Sequence, residues 1–259
     1  MLTDESNAIP TWTGAPMTAD RPVKLSELVA KRIADDIVAD GLAPGARLPG
    51  EKEMLDRLQV SRGTLREALR ILEVHGLLVI RSGPGGGPTV AQMTASDFSR
   101  VCSLHFRAAG ITLDQLWSDR AEIETMLARL AAHNITDEHR ERLHALTQQR
   151  TEDVVGNVEK YVETASAFHQ LIAEASGSPV LSLFARSLGE MTARLARLGV
   201  YQPSEHKRVH RAHLDIGEAI LAGNAELAEK LASEHMQDMR DTHRQRYPAM
   251  CDNLLPYII

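Results

Sequence analysis

The chain has 259 residues, of which 43% are hydrophobic, 25% are charged and only 4% are aromatic. This length fits one large domain or two ordinary ones, and the composition is that of a chain that can bury a core. Abundant Ala, Leu, Arg and Glu favour helix. No apolar run approaches the roughly 20 residues that a membrane span needs, which argues against a membrane protein.

The cysteines and the first residues point to the cytoplasm. Cys102 and Cys251 lie far apart and form no Cys-x-x-Cys pair, so we expect a reducing compartment without disulfides. Residues 1–20 are acidic and polar, without the basic and apolar regions of a signal peptide. We expect them to form a flexible leader.

Charge is distributed unevenly along the chain. The net charge is −6, yet residues 21–92 carry 11 Lys or Arg against 9 Asp or Glu. A slightly basic block between two acidic segments is a weak indication of an anionic partner.

Residues 21–92 have the pattern of a small DNA-binding domain. Helical spacing of apolar residues predicts three helices, at residues 23–40, 51–58 and 62–75. Two short strands, Leu78–Arg81 and Thr89–Ala91, flank a glycine-rich tip. The order helix, helix, turn, helix, hairpin predicts a winged helix-turn-helix.

Only helices are predicted from Thr94 onward. They cover residues 95–109, 113–133, 137–155, 158–176, 179–200, 204–222 and 225–246. The expected fold class is therefore mainly α, with an N-terminal winged helix-turn-helix and a C-terminal antiparallel bundle of six to seven helices. The expected domains are a leader at 1–20, a DNA-binding domain at 21–92, a helical domain at 93–246 and a tail at 247–259.

The third helix has the properties of a DNA recognition helix. Arg62, Arg66 and Arg70 share one face, and Thr64 lies in the first turn. Leu65 and Val74 are among the apolar residues expected to face mostly inward. Arginine can donate two parallel hydrogen bonds to guanine or phosphate. The alternative is a solvated charged face, but the preceding tight turn and short helix and the following hairpin favour DNA binding.

The sequence here resembles the GntR family of bacterial transcription regulators. The resemblance lies in L-P-G-E, then V-S-R-G-T-L-R-E-A-L, then L-E-V-H-G-L and the glycine-rich wing. It implies a homodimer on a palindromic double-stranded DNA operator, with the third helix in the major groove and the wing tip in the minor groove. The DNA contacts that it implies are Arg47, Lys52, Arg62, Thr64, Arg66, Ser82 and Gly83. Arg70 is a phosphate contact at most.

The second domain resembles the FCD effector domain of FadR-type members of that family. The markers are L-W-S-D-R-A-E-I-E, F-H-Q-L-I-A-E-A-S-G-S-P, H-L-D-I-G-E-A-I-L and A-S-E-H-M. Many such domains hold a divalent metal through three histidines and one carboxylate. The histidines map to His169, His213 and His235, and imidazole suits zinc or nickel. His206 and His210 fall at no matching position, and we expect them at the surface. The carboxylate maps to Ala165, which cannot bind a metal, so histidines that line a polar pocket without metal are the alternative.

Arg120 matches the arginine that relatives direct at an effector carboxylate. The alternative is a helix salt bridge with Glu124, which the spacing of four residues permits. The resemblance thus implies that a small carboxylate effector binds Arg120 and the three histidines.

Three functions follow from these patterns. The first is a regulator, expected to be a repressor, that senses a small organic acid at a metal-containing site. The second is a metal-free regulator that responds to fatty acyl-CoA. The third is a three-histidine metalloenzyme, which the absence of an HExxH motif and of a nucleophile elbow argues against, so we do not expect an enzyme.

Overall fold

The computed structural model describes residues 23–83, 86–92, 94–155, 157–197 and 202–254, with side chains at all of these except 194–197. It divides into two compact units, Met1–Gln92 and Met93–Ile259. No helix within the described ranges is long and apolar enough to cross a membrane. The predicted mainly α fold class is confirmed.

The first unit is a winged helix-turn-helix. Its elements are α1 (Leu25–Ala39), α2 (Glu51–Leu58), α3 (Arg62–Val74), β1 (Leu78–Arg81) and β2 (Gly87–Val90). The strands pair antiparallel, with Leu78 opposite Val90 and Arg81 opposite Gly87. The second strand begins two residues earlier than predicted, because its pairing with β1 continues through the glycine-rich stretch.

The recognition helix α3 begins at a side-chain cap. The Ser61 hydroxyl accepts a hydrogen bond from the Thr64 N–H at 3.2 Å, which satisfies one of the free donors at the helix start. Leu65, Ala68 and Leu72 are buried beneath it. Val74, which was predicted to face inward, is 71% exposed, because two positions after Leu72 a helix has turned to its far side.

Within its described residues, the second unit is a bundle of seven long helices with two short ones. They are α4 (Ala95–Ala108), α5 (Leu113–Asn134), α6 (Asp137–Thr147), α7 (Thr151–Val154), α8 (Val158–Ala175), α9 (Pro179–Arg197), α10 (Pro203–Leu221), α11 (Ala225–Arg246) and α12 (Pro248–Cys251). The predicted helix at 137–155 is in fact two helices, because Arg150 adopts an extended backbone. The short α12 lies in the segment expected to be a tail, where Cys251 is buried.

Side-chain caps fix where several of these helices begin. In each case a Thr or Asn side chain accepts the N–H of the residue three positions later. These caps are Thr94, Thr112, Thr136, Asn157 and Asn224. They set the rotation of each helix and thus which side chains point into the bundle.

The bundle core consists of two apolar clusters with a polar layer between them. On α5, Trp117 belongs to one cluster and Leu127 to the other. The polar and charged side chains at this level are Arg120, Glu124, His169, His213 and His235. A charged layer inside a bundle costs desolvation free energy unless its members bind one another or a ligand, so this layer is the first place to look for function.

Candidate functional site

Three histidines from three helices meet at the centre of the polar layer. His169 lies on α8, His213 on α10 and His235 on α11, and one ring nitrogen of each lies within 4.8 Å of the others. The Nε2 atoms of His213 and His235 are 3.2 Å apart. His213 and His235 are buried and His169 is half-buried. The structure therefore brings together the three histidines singled out in the sequence.

Ring packing fixes how these imidazoles are oriented. His213 stacks on Phe168, with ring centroids 4.2 Å apart and planes at 12°. It also meets His169 and His235 edge to face, with centroids 4.9 and 4.8 Å apart. Because each ring is held by its neighbours, the nitrogens converge without a large loss of side-chain entropy on binding.

The buried histidines are neutral. Burial, followed by repulsion from neighbouring histidines, lowers the pKa of His213 well below its usual value. Burial and the charges of His169 and Arg120 lower the pKa of His235 to about 3. Neutral imidazole carries the free lone pair that a metal ligand needs.

The cluster fits a divalent metal ion by distance as well as by chemistry. Two nitrogens bound to one ion at about 2.1 Å, at tetrahedral or octahedral angles, lie roughly 3.0–3.4 Å apart. The separation of 3.2 Å between the His213 and His235 nitrogens falls in that range. His169, His213 and His235 together would provide three ligands and leave positions open for an effector.

The acid nearest the histidines comes from another helix than the family pattern indicates. Ala165, one turn before His169, lines the cavity and offers no ligand. Instead, Glu124 on α5 lies with its Oε2 atom 3.1 Å from Nδ1 of His169. The sequence had shown Glu124 only as a salt-bridge partner of Arg120, and spacing along one helix could not reveal its contact with α8.

Arg120 makes the predicted salt bridge and also lines the cavity. Its Nε and Nη2 atoms donate to Oε1 of Glu124 at 3.1 and 3.0 Å, and Nη1 donates to the Thr192 hydroxyl. Burial alone would raise the pKa of Glu124, but His169 and Arg120 lower it to about 2. Glu124 is therefore an anion that links the arginine to the histidine cluster.

A cavity of about 180 Å³ opens beside this network. Its lining includes Arg120 and the three histidines together with apolar side chains. Polar groups from α8 and α9 complete it, namely Ser166, Gln170, Arg186, Glu190 and Thr192. A space of this size can hold a small organic molecule rather than a single water, since a cavity of only about 10–15 Å³ by this measure already holds one water.

Two histidines that were predicted to be surface residues are buried instead. His206 and His210 are only 1% and 3% exposed, because the inward face of α10 that carries His213 also carries the positions one and two turns before it. His206 stacks on Tyr161 with centroids 4.0 Å apart, and neither of its ring nitrogens has a hydrogen-bond partner. The Nε2 atom of His210 lies 3.3 Å from the Gln149 carbonyl oxygen.

The second candidate surface lies on α3 and the wing of the first unit. The side chains of Arg62 and Arg66 are 78% and 71% exposed and point away from the core. Both lie near the Glu51 carboxylate, at 4.0 and 3.6 Å. Thr64 is half-buried at the start of α3, where its hydroxyl lies 2.9 Å from that of Ser61.

The other predicted DNA contacts are also exposed. They are Arg47, Lys52, Ser82 and Gly83. Arg47 pairs with Thr89 in an isolated bridge, which places it beside the wing strands. Gly83 has φ +97°, a conformation that favours glycine, at the start of the wing tip.

Comparisons with known protein families agree with both units. Residues 25–86 match the model of bacterial regulatory proteins of the gntR family, and residues 115–238 match the FCD domain. The transcriptional repressor NanR of Enterobacter sp. (strain 638) is 27% identical over 231 residues, 85% of each chain. The Glc operon transcriptional activator of Escherichia coli K12 is 28% identical over 85% of this chain and 88% of its own.

A regulator of unassigned role, YcbG of Bacillus subtilis, is 29% identical over 84% of this chain and 89% of its own. Among solved structures, a GntR protein of Streptococcus agalactiae superposes with a TM-score of 0.64 at 23% identity, over 83% of this chain and 99% of that chain. The chain therefore belongs to the GntR family of DNA-binding transcription regulators and carries an FCD domain. It is a regulator and not an enzyme.

Proposed function

We propose that this protein is a cytoplasmic, homodimeric repressor that leaves its operator when a small organic acid enters the cavity of the FCD domain. The observation that carries the proposal is the convergence of three histidines and Arg120 on one cavity. Three mutually oriented imidazoles beside an arginine, two of them buried and neutral, are suited to binding an anion and a metal ion.

The DNA-binding role is assigned to the exposed polar surface of the first unit. Arg62, Thr64 and Arg66 would lie in the major groove, since the first turn of a recognition helix reaches the base edges. Contacts beside it and at the wing tip are assigned to Arg47, Lys52, Ser82 and Gly83. The exposure of these side chains supports the assignment.

A divalent metal, zinc or nickel, is proposed at His169, His213 and His235. When bound, such an ion supplies open coordination positions to which an effector carboxylate can bind. Glu124 would keep His169 in place from the opposite side of its ring by accepting the Nδ1 hydrogen. Arg120 in turn keeps the Glu124 carboxylate charged and oriented.

Repression is proposed because NanR proteins are repressors and match along most of the chain. An effector can change DNA affinity only if it binds one arrangement of the two DNA-binding domains better than the other. The polar layer contacts helices α5, α8, α9, α10 and α11 together, so a ligand there would bias the packing of the whole bundle.

The volume of the cavity argues against acyl-CoA as effector. About 180 Å³ lies below the roughly 300 Å³ at which pockets for drug-sized ligands begin, and an acyl-CoA is larger still. Glu124, the acid beside the histidines, is poorly suited to act as a general base for metal-dependent catalysis, since it is held by Arg120 and His169 and its pKa is lowered to about 2.

The test measures, by fluorescence anisotropy, the binding of the protein to a labelled DNA fragment from upstream of its own gene. We expect the wild type and Arg70→Ala to bind, Arg62→Ala with Arg66→Ala to lose binding, and one equivalent of metal per chain after gentle purification. Binding that survives the double substitution would overturn the DNA-contact assignment. Wild-type protein that takes up no zinc or nickel would overturn the metal site.

A further inference from the structure

The cavity contains a second arginine whose charge is not neutralised by a neighbouring carboxylate. Arg186 on α9 is half-buried and lines the same space as Arg120. No described residue forms a hydrogen bond or ion pair with it. Arg120, in contrast, donates two hydrogen bonds to Glu124 and one to Thr192. Of the two arginines, Arg186 is therefore the one whose guanidinium is available to pair with an anionic ligand.

The acids near Arg186 do not cancel this charge. Glu174 is close enough for Arg186 to contribute to the lowering of its pKa, but its oxygens already accept from Arg142 at 2.9 Å and Gln170 at 2.8 Å. Glu190, one turn along α9, is exposed to water, which weakens its interactions. An anion that displaces water from the cavity would therefore be able to pair with the Arg186 guanidinium.

Arg186 lies on the part of α9 that precedes the residues beside Arg120. Gly189 and Thr192 lie next to the Arg120 guanidinium, three and six positions after Arg186, which is about 4.5 and 9 Å along the helix axis. Arg186 additionally lines a shallow surface depression with Glu174 and Ser178, so it stands where the cavity approaches solvent. The cavity thus has one cation, Arg120, at its buried end and a second, Arg186, towards solvent.

We propose that the effector is an acid with two anionic groups, one held at the histidine cluster and the other by Arg186. The inference rests on the proposed function of the cavity and gives its ligand a class, a short dicarboxylate. A volume of about 180 Å³ accommodates such an acid. The guanidinium donates two parallel hydrogen bonds to the outer carboxylate, which also fixes the direction in which the acid lies.

Arg129→Gln is a control for Arg186→Gln. Arg129 lies on α5, pairs with Glu229, has a side chain that is 44% exposed, and does not line the cavity. Both substitutions remove one positive charge from the helical domain. Only loss of Arg186 removes a donor from the ligand. Glu190→Gln serves as the opposite change, since it removes a negative charge from the cavity lining.

The experiment is isothermal titration of zinc-loaded full-length protein with C3 to C6 acids, in pairs of monocarboxylate and dicarboxylate such as butyrate and succinate. We expect the wild type to prefer the dicarboxylates. Arg186→Gln should weaken dicarboxylate binding by about tenfold or more and monocarboxylate binding by less than about threefold. Arg129→Gln should bind like the wild type, and Glu190→Gln at least as tightly.

Two outcomes overturn the inference alone: a wild type that binds both kinds of acid equally, or an Arg186→Gln variant that keeps the dicarboxylate preference. A wild type that binds no acid of the set overturns the proposed organic-acid function as well. Circular dichroism and zinc content of each variant show whether a loss of binding comes from loss of the fold.

Discussion

The carboxylate of Glu124 lies 3.1 Å from Nδ1 of His169, although 45 positions separate the two residues in the chain. Because this carboxylate is ionised, it accepts a hydrogen from Nδ1 and leaves the lone pair on Nε2. Nε2 is thereby kept available for the side of the ring that faces His213 and His235. The contact selects one tautomer of a candidate metal ligand.

Replacement of Glu124 should weaken metal binding without removing a ligand. Glu124→Gln keeps the size of the side chain but loses the charge that fixes the His169 tautomer. We expect zinc affinity to fall by about 10- to 100-fold, the usual effect of losing an outer-shell carboxylate. Competition with a chromophoric chelator measures it.

Glu122→Gln is the control for this change, because Glu122 lies on the same helix and is exposed. It should bind zinc like the wild type. Equal zinc affinity in Glu124→Gln and wild type would show that Glu124 does not orient His169.

Removal of the Glu51 charge should strengthen DNA binding. Glu51 lies 3.6 Å from Arg66 and 4.0 Å from Arg62, so phosphate and base contacts compete with it for these two arginines. We expect Glu51→Gln to bind operator about two- to tenfold more tightly at low salt. The gain should shrink as salt screens the exposed charges.

Fluorescence anisotropy at several salt concentrations measures the effect. Glu53→Gln is the matched control, because it removes an exposed negative charge from the same helix. Equal gains in both variants would mean that general charge repulsion, not competition for the arginines, is responsible.

The wing should depend on glycine at position 86. A Cβ added to Gly86 would lie 2.2 Å from the backbone oxygen of Arg81, well inside contact distance, so the turn between β1 and β2 must open. We expect Gly86→Ala to lower operator affinity by about tenfold or more while helix content stays near that of the wild type. Anisotropy and circular dichroism report the two quantities.

Gly50→Ser provides the contrast, since a Cβ at Gly50 meets nothing within 4 Å. It also restores a side-chain cap to α2 and should stabilise that helix slightly. Operator binding by Gly86→Ala equal to that of the wild type would argue that the wing contributes little to DNA affinity.

Stability of the helical domain should fall in mild acid because of its buried histidines. Burial lowers the pKa of His206, so below about pH 6.5 the unfolded chain takes up a proton that the folded chain does not. Stability that is present above that pH is therefore lost as the pH falls, by up to about 1.4 kcal/mol per pH unit for each such histidine.

The variant His206→Phe isolates this contribution. Phenylalanine keeps the stack on Tyr161 and removes two ring nitrogens that have no hydrogen-bond partner. Urea unfolding between pH 7.5 and 5.5, in the presence of a chelator, should show a shallower loss of stability than in the wild type. Parallel curves would refute the assignment.

The winged helix-turn-helix and the positions of the long helices could be predicted because their signals are local. Ser61 caps α3 where expected, and apolar spacing gives the buried face. The predictions that the structure contradicts concern the far side or the end of a helix. Val74 faces outward because the helix has turned away from the core two positions after Leu72, whereas His206 faces inward because it packs against Tyr161, which is distant in sequence.

The candidate site was predictable only as far as the resemblance reached. The three histidines came from it, and the structure places them together. The role of Glu124 was not predictable, because it depends on α5 packing against α8. The role of Arg186 was also not predictable, since only the spatial arrangement shows that it lines the cavity and forms no hydrogen bond or ion pair with any described residue.

The ligand nitrogens of the histidine cluster come from three helices, α8, α10 and α11, and from residues far apart in the chain, since 44 positions separate His169 from His213 and 22 separate His213 from His235. An ion bound there would act as a cross-link that exists only in the folded state and would add its binding free energy to the free energy of unfolding. Without bound metal, the chain would unfold more often and would be degraded by proteases sooner. The cellular abundance of this regulator would then follow the supply of metal, independently of the acid that it senses.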